Sequence, residues 1–274
     1  MLKRWFGSLR VRLAYSLAYG QRQVRDYGFF TAGFWPPLPR MMEVPALAQA
    51  RCQANLYELA LREHPGPRPL PRAVLDIGCG VGGGLLYARA VFPKAILVGV
   101  DLSGAAVRQA RRRLGGLAKV SLHRVSGDRT RLAPHRFDLI VSIGAVNAIG
   151  PTEMLRECAR LLAPGGVVSI TAVLSLTPDQ AFELFNAAAA ATGLALRRIS
   201  EITEGTRAAL DHDRDWAESV ICAMPAPFRR QAREMAALPG TRAAQAMADG
   251  RLRSYAILVD HPAIAWAAPR LLAA

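Results

Sequence analysis

The stretch Val74-Leu75-Asp76-Ile77-Gly78-Cys79-Gly80-Val81-Gly82-Gly83-Gly84 decides the fold of this chain. Val74 to Ile77 reads as a short buried strand. Glycines break it at once, and Leu85-Leu86-Tyr87-Ala88 begins a helical pattern. Glycine reaches positive φ without strain and lets a ligand touch the main chain. A helix start offers unpaired N–H groups and the positive end of a dipole. A strand, a glycine turn and a helix in that order therefore form a cofactor-binding device. Gly78-Cys79-Gly80-Val81-Gly82-Gly83 nearly spells the dinucleotide fingerprint G-x-G-x-x-G. Asp76, just before the first glycine, argues for a different ligand. A carboxylate there can face the positive amino group of an amino-acid cofactor but would repel a pyrophosphate. No Walker phosphate-loop pattern occurs.

Downstream, strand and helix alternate. Strands are predicted at 73–77, 96–100, 119–124, 137–142, 166–173, 194–202 and 253–260, and helices at 84–91, 104–114, 152–162 and 178–192. Such alternation predicts a mostly parallel sheet with helices on both faces. Pro164-Gly165-Gly166 turns the chain into the fifth strand. Residues 205–250 are too long for a hairpin loop and read as helices broken by Pro225, Pro227 and Pro239, an inserted cap.

Three further sites carry chemistry. Val98-Gly99-Val100-Asp101-Leu102-Ser103 ends an apolar strand in a carboxylate 21 residues after Gly80. A carboxylate at the end of the second strand of such a sheet can accept ribose hydroxyls, with Leu102 against the base. Ser103 serves as the N-cap of the next helix, which leaves Asp101 for another task. Ser126-Gly127-Asp128-Arg129 follows the third strand. Asp128 there is either an acceptor for an adenine amino group or a turn residue. Phe137-Asp138-Leu139-Ile140-Val141-Ser142 is a strand whose C-terminal end, Ser142, faces the cofactor crevice.

Upstream, residues 44–63 read as one helix with Leu47, Leu56, Leu59 and Ala60 inward and Arg51, Glu58, Arg62 and Glu63 off that face. The proline-rich stretch 64–71 ends it. Residues 26–41 form an aromatic, Gly- and Pro-rich loop, a lid or an anchored linker. Residues 1–20 carry Leu2, Trp5, Phe6, Leu9, Leu13 and Leu17 at helical spacing, with Lys3, Arg4, Arg10 and Arg12 between them. Three readings fit: a helix on a membrane surface, an organellar transit peptide, or a helix packed on its own domain.

The chain has 274 residues and a net charge of +14. The basic residues are almost all Arg and are dispersed through every segment, the pattern of a solvated surface rather than a nucleic-acid tract. The four cysteines lie far apart and form no C-x-x-C, so no zinc or redox motif is expected, and free thiols suit the cytoplasm. No apolar run reaches the roughly 18 residues of a membrane span.

Together these motifs resemble the class I S-adenosylmethionine-dependent methyltransferases. Val74–Gly82 matches that family's glycine-rich first motif, Asp101 its ribose acid, Gly127-Asp128 its adenine contact, Phe137–Ser142 its fourth strand, and Leu161-Leu162-Ala163-Pro164-Gly165-Gly166 the turn before its fifth. The resemblance implies an α/β, Rossmann-like seven-stranded sheet with its last strand antiparallel. It also implies S-adenosylmethionine as cofactor, held by Asp76, Gly78, Cys79, Gly80, Asp101, Leu102, Gly127, Asp128 and Ser142. The chain then divides into an N-terminal helical lid (1–70), the cofactor-binding core (71–204), the cap (205–252) and the final strand and tail (253–274).

The glycine loop and Gly33-Phe34-Trp35 look like the small-molecule branch that acts on natural products, lipids and sterols. Phe34 stands where many such enzymes have Tyr. Asn147 stands where several have His, so that loop brings no histidine base. His212, in Asp211-His212-Asp213, is then the candidate base, with Asn147 beside it as a catalytic candidate. Tyr27, Trp35, Asn147 and Trp216 are the expected substrate contacts. No metal is needed. The expected reaction is O-methylation of an apolar small molecule. The alternatives are a C-methyltransferase or cofactor-holding cyclase on the same fold and, from the charge alone, an RNA methyltransferase.

Overall fold

A computed structural model describes residues 17–29, 31–62, 70–262 and 270–272. The amphipathic pattern assigned to residues 1–20 lies almost wholly outside the described residues, as does most of the 64–71 boundary. In chain order the elements are α1 (Arg22–Tyr27), a 3-10 turn (Pro45–Ala50), α2 (Arg51–Arg62), β1 (Ala73–Ile77), α3 (Gly83–Val91), β2 (Ile96–Asp101), α4 (Gly104–Leu114), β3 (Val120–Arg124), β4 (Phe137–Ile143), α5 (Val146–Ile149), α6 (Pro151–Leu161), β5 (Leu162–Leu174), α7 (Pro178–Ala190) and β6 (Ala195–Glu201). The cap follows as α8 (Thr203–His212), α9 (Arg214–Cys222), α10 (Ala226–Met235) and α11 (Arg242–Ala248), then β7 (Arg253–Asp260) and β8 (Arg270–Leu272).

The strands form one sheet in the order β3-β2-β1-β4-β5-β7-β6-β8. β1 runs parallel to β2 and β4, and β7 is antiparallel to both β5 and β6. The seven expected strands are all present. β8, three residues long and parallel to β6, adds an eighth that no sequence pattern marks. Successive residues point to opposite faces and both faces are covered, which is why the central strands read as continuous apolar runs. Val74, Leu97, Leu139 and Val141 face the layer of α2 and α3. Leu75, Ile77, Val98, Val100 and Ile140 face the layer of α6 and α7. Reversal of strand order beside β1 opens a crevice at the C-terminal strand ends, and the glycine loop lies there.

Three expectations need correction. Residues 44–63 are not one helix: Pro45 starts a 3-10 turn, and α2 begins at Arg51. Glu58 is not off the buried face. It is 1% exposed, because an ion pair with Arg62 (2.8 Å) and a hydrogen bond from the Tyr87 hydroxyl (2.9 Å) allow its burial. β5 begins at Leu162 rather than after the Pro164-Gly165 turn, since Leu162 already pairs with Phe137.

The cap has a small core of its own, Ile221, Met224, Ala232 and Leu238. It meets the cofactor half of the molecule through Val220, which packs with Val81, Ala106 and Tyr19. The aromatic loop 31–38 is anchored. The Asn55 amide donates to the carbonyls of Phe34 (2.7 Å) and Pro36 (2.9 Å) and accepts from Leu38 N (2.8 Å), while Trp35 N donates to Gly205 O in the cap (3.0 Å).

Candidate functional site

The glycines of the loop divide into two jobs. Gly78, Gly80 and Gly82 have φ of +84°, +53° and +87°, values that side chains resist. Gly78 N and Cys79 N both donate to Val100 O (2.8 and 3.1 Å), which ties the loop to the end of β2. Gly83 and Gly84 instead permit close packing. A Cβ on Gly83 would meet Gly28 O at 2.2 Å, and one on Gly84 would meet the Tyr57 ring at 2.0 Å.

Two carboxylates flank the loop. Asp101 Oδ2 accepts from Gly80 N (3.0 Å) and Oδ1 from Ser103 N (2.8 Å). Burial raises its pKa, and those two amides work against the rise. Each carboxylate oxygen keeps lone-pair capacity for a further donor. Ser103 caps α4 through Ala106 N (3.3 Å), as its position before the helix predicts. Asp76 is 1% exposed. Its Oδ2 accepts from the Tyr57 hydroxyl (3.0 Å), while Oδ1 is buried with no partner among the described residues. Burial pushes its pKa up to about 7, against the pull of the Tyr57 hydrogen bond, with the charge of Asp101 adding to the rise. An unsatisfied buried acceptor costs about 1–3 kcal/mol. A cationic donor at that oxygen would relieve it, so the residues fit a cofactor bearing an ammonium group.

Crevice and cap together line a partly open cavity of about 1240 Å³. That exceeds the about 300–1,000 Å³ of ordinary small-molecule pockets and leaves room for a second molecule beside a cofactor. Among the expected residues, Gly78, Cys79, Gly80, Asp101, Leu102, Gly127, Asn147 and Trp216 lie on its wall. Asp76 is not itself among the wall residues, but its hydrogen-bond partner Tyr57 and its chain neighbours Ile77 and Gly78 are. Ser142 is fully buried, and its Oγ donates to Ile77 O (3.0 Å), linking β4 to β1 beneath the crevice. Asp128 is exposed and accepts from Ser126 Oγ. Asn147 spends both ends of its amide on Val173, donating to its carbonyl (2.6 Å) and accepting from its N–H (3.2 Å), so the group braces β5.

The lid and cap meet at a polar knot. Asp213 is on the cavity wall; its Oδ2 accepts from Gln53 Nε2 (2.7 Å), and its Oδ1 is 2.9 Å from His212 Nδ1. Tyr27 donates to Gln53 Oε1 (2.8 Å) and stacks on Trp216 at 3.8 Å between ring centroids. Burial and the adjacent Asp213 carboxylate hold the Tyr27 phenol protonated well above its ordinary range. His212 is half exposed, off the wall, and stacks on Trp35 at 4.6 Å. Cys52 completes a group with His212 and Asp213 whose ligand-type atoms lie within 4.8 Å. Burial, then the charge of Asp213, push the Cys52 thiol up to about 12, so it is held as a thiol, the form that does not ligate metals.

The sequence pattern does not single out Tyr57, Gln53 or Asp213. Asp213 had one signal, its place beside His212. Tyr57 and Gln53 sit in an ordinary amphipathic helix and acquire partners only when the chain folds.

Residues 74–166 match the family model described as a methyltransferase domain. The chain is 34% identical over 122 residues to the malonyl-acyl-carrier-protein O-methyltransferase of Legionella pneumophila, a match covering 44% of this chain and 42% of that protein. It is 28% identical over 198 residues to the phthiotriol/phenolphthiotriol dimycocerosates methyltransferase of Mycobacterium tuberculosis, covering 69% of this chain and 70% of that one. The match spans less than half the length of the first of these relatives. In fold, the chain superposes on the StiE O-MT with a TM-score of 0.66 at 15% identity, covering 92% of each chain. Residues 74–166 therefore carry a methyltransferase domain, and the sheet order β3-β2-β1-β4-β5-β7-β6 is the one that the resemblance to the class I S-adenosylmethionine-dependent methyltransferases implies.

Proposed function

We propose that this chain methylates a hydroxyl of an apolar small molecule. The observation that carries the reading is that one cavity has the Gly78–Gly80 loop and Asp101 on one wall and Asp213 with Trp216 on the other. When bound, S-adenosylmethionine supplies a methyl group already activated on a sulfonium. Asp101 would receive the ribose hydroxyls, with Leu102 against the adenine and Gly127-Asp128 at its edge. The free Oδ1 of Asp76 would take the amino group, as its lack of a partner supports.

The chain's remaining task is alignment and proton removal. Holding nucleophile and methyl carbon in line can contribute about 7–11 kcal/mol. Trp216, Leu210, Val220 and Ile221 give the acceptor an apolar wall. With the methyl group supplied by the bound cofactor, the acceptor hydroxyl would have to be held in line with it and give up its proton to a base. Asp213 is the base group that reaches the wall, and His212 holds it from behind. His212 thus acts through Asp213, and Asn147 has a bracing part. Tyr27 and Gln53 fix the carboxylate, and Trp35 fixes the imidazole by stacking. The concave, mostly apolar lining supports a small molecule over RNA.

Among the described residues no helix is long and apolar enough to cross a membrane. The cysteines are free, three of them buried, which suits a reducing compartment such as the cytoplasm.

Incubation with methyl-labelled S-adenosylmethionine and a metabolite extract of the source organism tests the reading. Label in an O-methylated apolar product is expected. Label in RNA, or on carbon, would replace the O-methylation reading. Cofactor binding without any transfer would favour the cyclase alternative.

A further inference from the structure

We propose that the acceptor carries an anionic group, a carboxylate or phosphate, at the end away from the methylated atom, and that Arg230 and Arg242 receive it. This rests on the methyl-transfer reading above and extends it to a substrate class: an amphiphile with an apolar body and one acidic end.

The cap wall of the cavity is unlike its core wall. Around Asp213 and Trp216 the polar groups are already committed to one another, and beyond them α9 and α11 contribute apolar side chains, among them Ile221 and Met247. Two arginines then line that wall, Arg230 from α10 and Arg242 from α11, both solvent-exposed.

Four other arginines of the cap, on α9, on α10 and just after α11, stand in contrast to these two. Arg214 pairs with Asp211 and Arg251 with Asp249 (2.7 Å). Arg233 faces Glu218 (3.7 Å), and Arg229 donates to Met224 O (2.8 Å). None of these four is on the cavity wall. The guanidiniums of Arg230 and Arg242 have no carboxylate partner among the described residues. The acid nearest them in the wall, Glu234, is engaged by the backbone amides of Arg242 (3.3 Å) and Ala243 (3.1 Å). Of the arginines on α10 and α11, then, Arg229 and Arg233 are engaged by a carbonyl and a carboxylate, and the two that line the cavity, Arg230 and Arg242, have neither at their guanidiniums among the described residues.

Guanidinium forks bind carboxylate and phosphate oxygens in pairs. Both are exposed, so their attraction for an anion is screened by salt, and the apolar lining beside them supplies the rest of the contact. A neutral acceptor would gain nothing from them. An anionic end would anchor there and lay its apolar body along the cap toward Asp213.

Calorimetry on the protein saturated with S-adenosylhomocysteine tests this with three probes of equal chain length: decyl phosphate, decanoate and decanol. Either anion is expected to bind at least tenfold tighter than decanol, with an affinity that falls as salt rises. Stronger binding of the phosphate or of the carboxylate identifies the headgroup. In the double variant Arg230→Gln/Arg242→Gln the preference should shrink to within about twofold. The single variants should each lose part of it, and they carry the test if the double variant fails to bind S-adenosylhomocysteine. Equal binding of decanol, no binding of any probe, or a preference that survives both substitutions would overturn the proposal. Failure of the wild type to bind S-adenosylhomocysteine would instead remove the methyl-transfer reading beneath it.

Discussion

The two walls of the cavity are built on different principles. The core wall is made of backbone. Gly78 and Gly80 hold positive φ, paired amides lock the loop to Val100 O, and Asp101 accepts from two more amides. Its parts come from two adjacent strands and the turns that follow them. The lid and cap wall is made of side chains from distant segments. Gln53 and Asp213, 160 residues apart, form one hydrogen bond of it, and Tyr27 stacks on Trp216. A cofactor common to a whole family suits a rigid backbone cradle. An acceptor particular to one enzyme suits side chains that can be exchanged without disturbing the sheet. Variants should therefore split: changes to the core wall should affect fold or cofactor affinity, and changes to the cap wall should affect turnover.

The largest effect is expected from Gly83→Ala. Its Cβ would meet the backbone oxygen of Gly28 at 2.2 Å, an atom that cannot rotate away. Overpacking of that kind should cost about 3 kcal/mol or more, measured by denaturant unfolding. Unchanged stability would show that the α3 start and the 28–29 turn are not pressed together.

Next is Asp213→Asn, which keeps the shape and removes the charge. A loss of about 10²-fold in the rate of methyl transfer is expected, in line with a general base. Affinity for S-adenosylhomocysteine should stay within about twofold. His212→Ala should follow in the same direction with a smaller loss, since it acts through Asp213. A fall in cofactor affinity instead would place the polar knot on the wrong side of the comparison.

The smallest effect concerns pH. Asp76 has its pKa pushed up to about 7 by burial. Its charged form, which would attract an ammonium group, therefore gains population as pH rises from 6 to 8. Affinity for S-adenosylmethionine should rise about tenfold over that interval, and Asp76→Asn should flatten the rise. The linked effect on stability has the opposite sign. The folded state binds the proton more tightly than the unfolded state, so this group's contribution to stability falls as pH rises from about 4 to 7. Tyr57→Phe removes a hydrogen bond that lowers the Asp76 pKa, and should move the affinity profile to higher pH.

The same contrast explains what the sequence makes legible. β1, β2, β4 and β7 are visible as apolar runs, and the loop after β1 as its glycines, because each is encoded within a few consecutive residues. β7 pairs antiparallel between β5 and β6, as the resemblance to the methyltransferases implies. Asp101 and Gly127 stand out because strand ends in such a sheet have known uses. Glu58 is misleading in the sequence: its charge argues for exposure, and only the fold brings Arg62 and Tyr87 to it. His212 attracts notice as a histidine in a cap, yet the wall position belongs to Asp213, and one residue's rotation along α8 decides between them. Ser142 reads as a pocket group but is fully buried on Ile77, and Asn147 does line the cavity while its amide is spent on Val173; both partners are far away in sequence. Local chemistry is written in local patterns; contacts between lid and cap are not.

The most direct measurement is calorimetric titration of S-adenosylhomocysteine into the wild type and into Asp101→Ala. The wild type should bind one equivalent, and the Asp101→Ala protein, still folded by circular dichroism, should show no measurable binding. Equal affinity in the two proteins, or no binding to the wild type, would contradict the assignment of the Gly78–Asp101 crevice as the cofactor site.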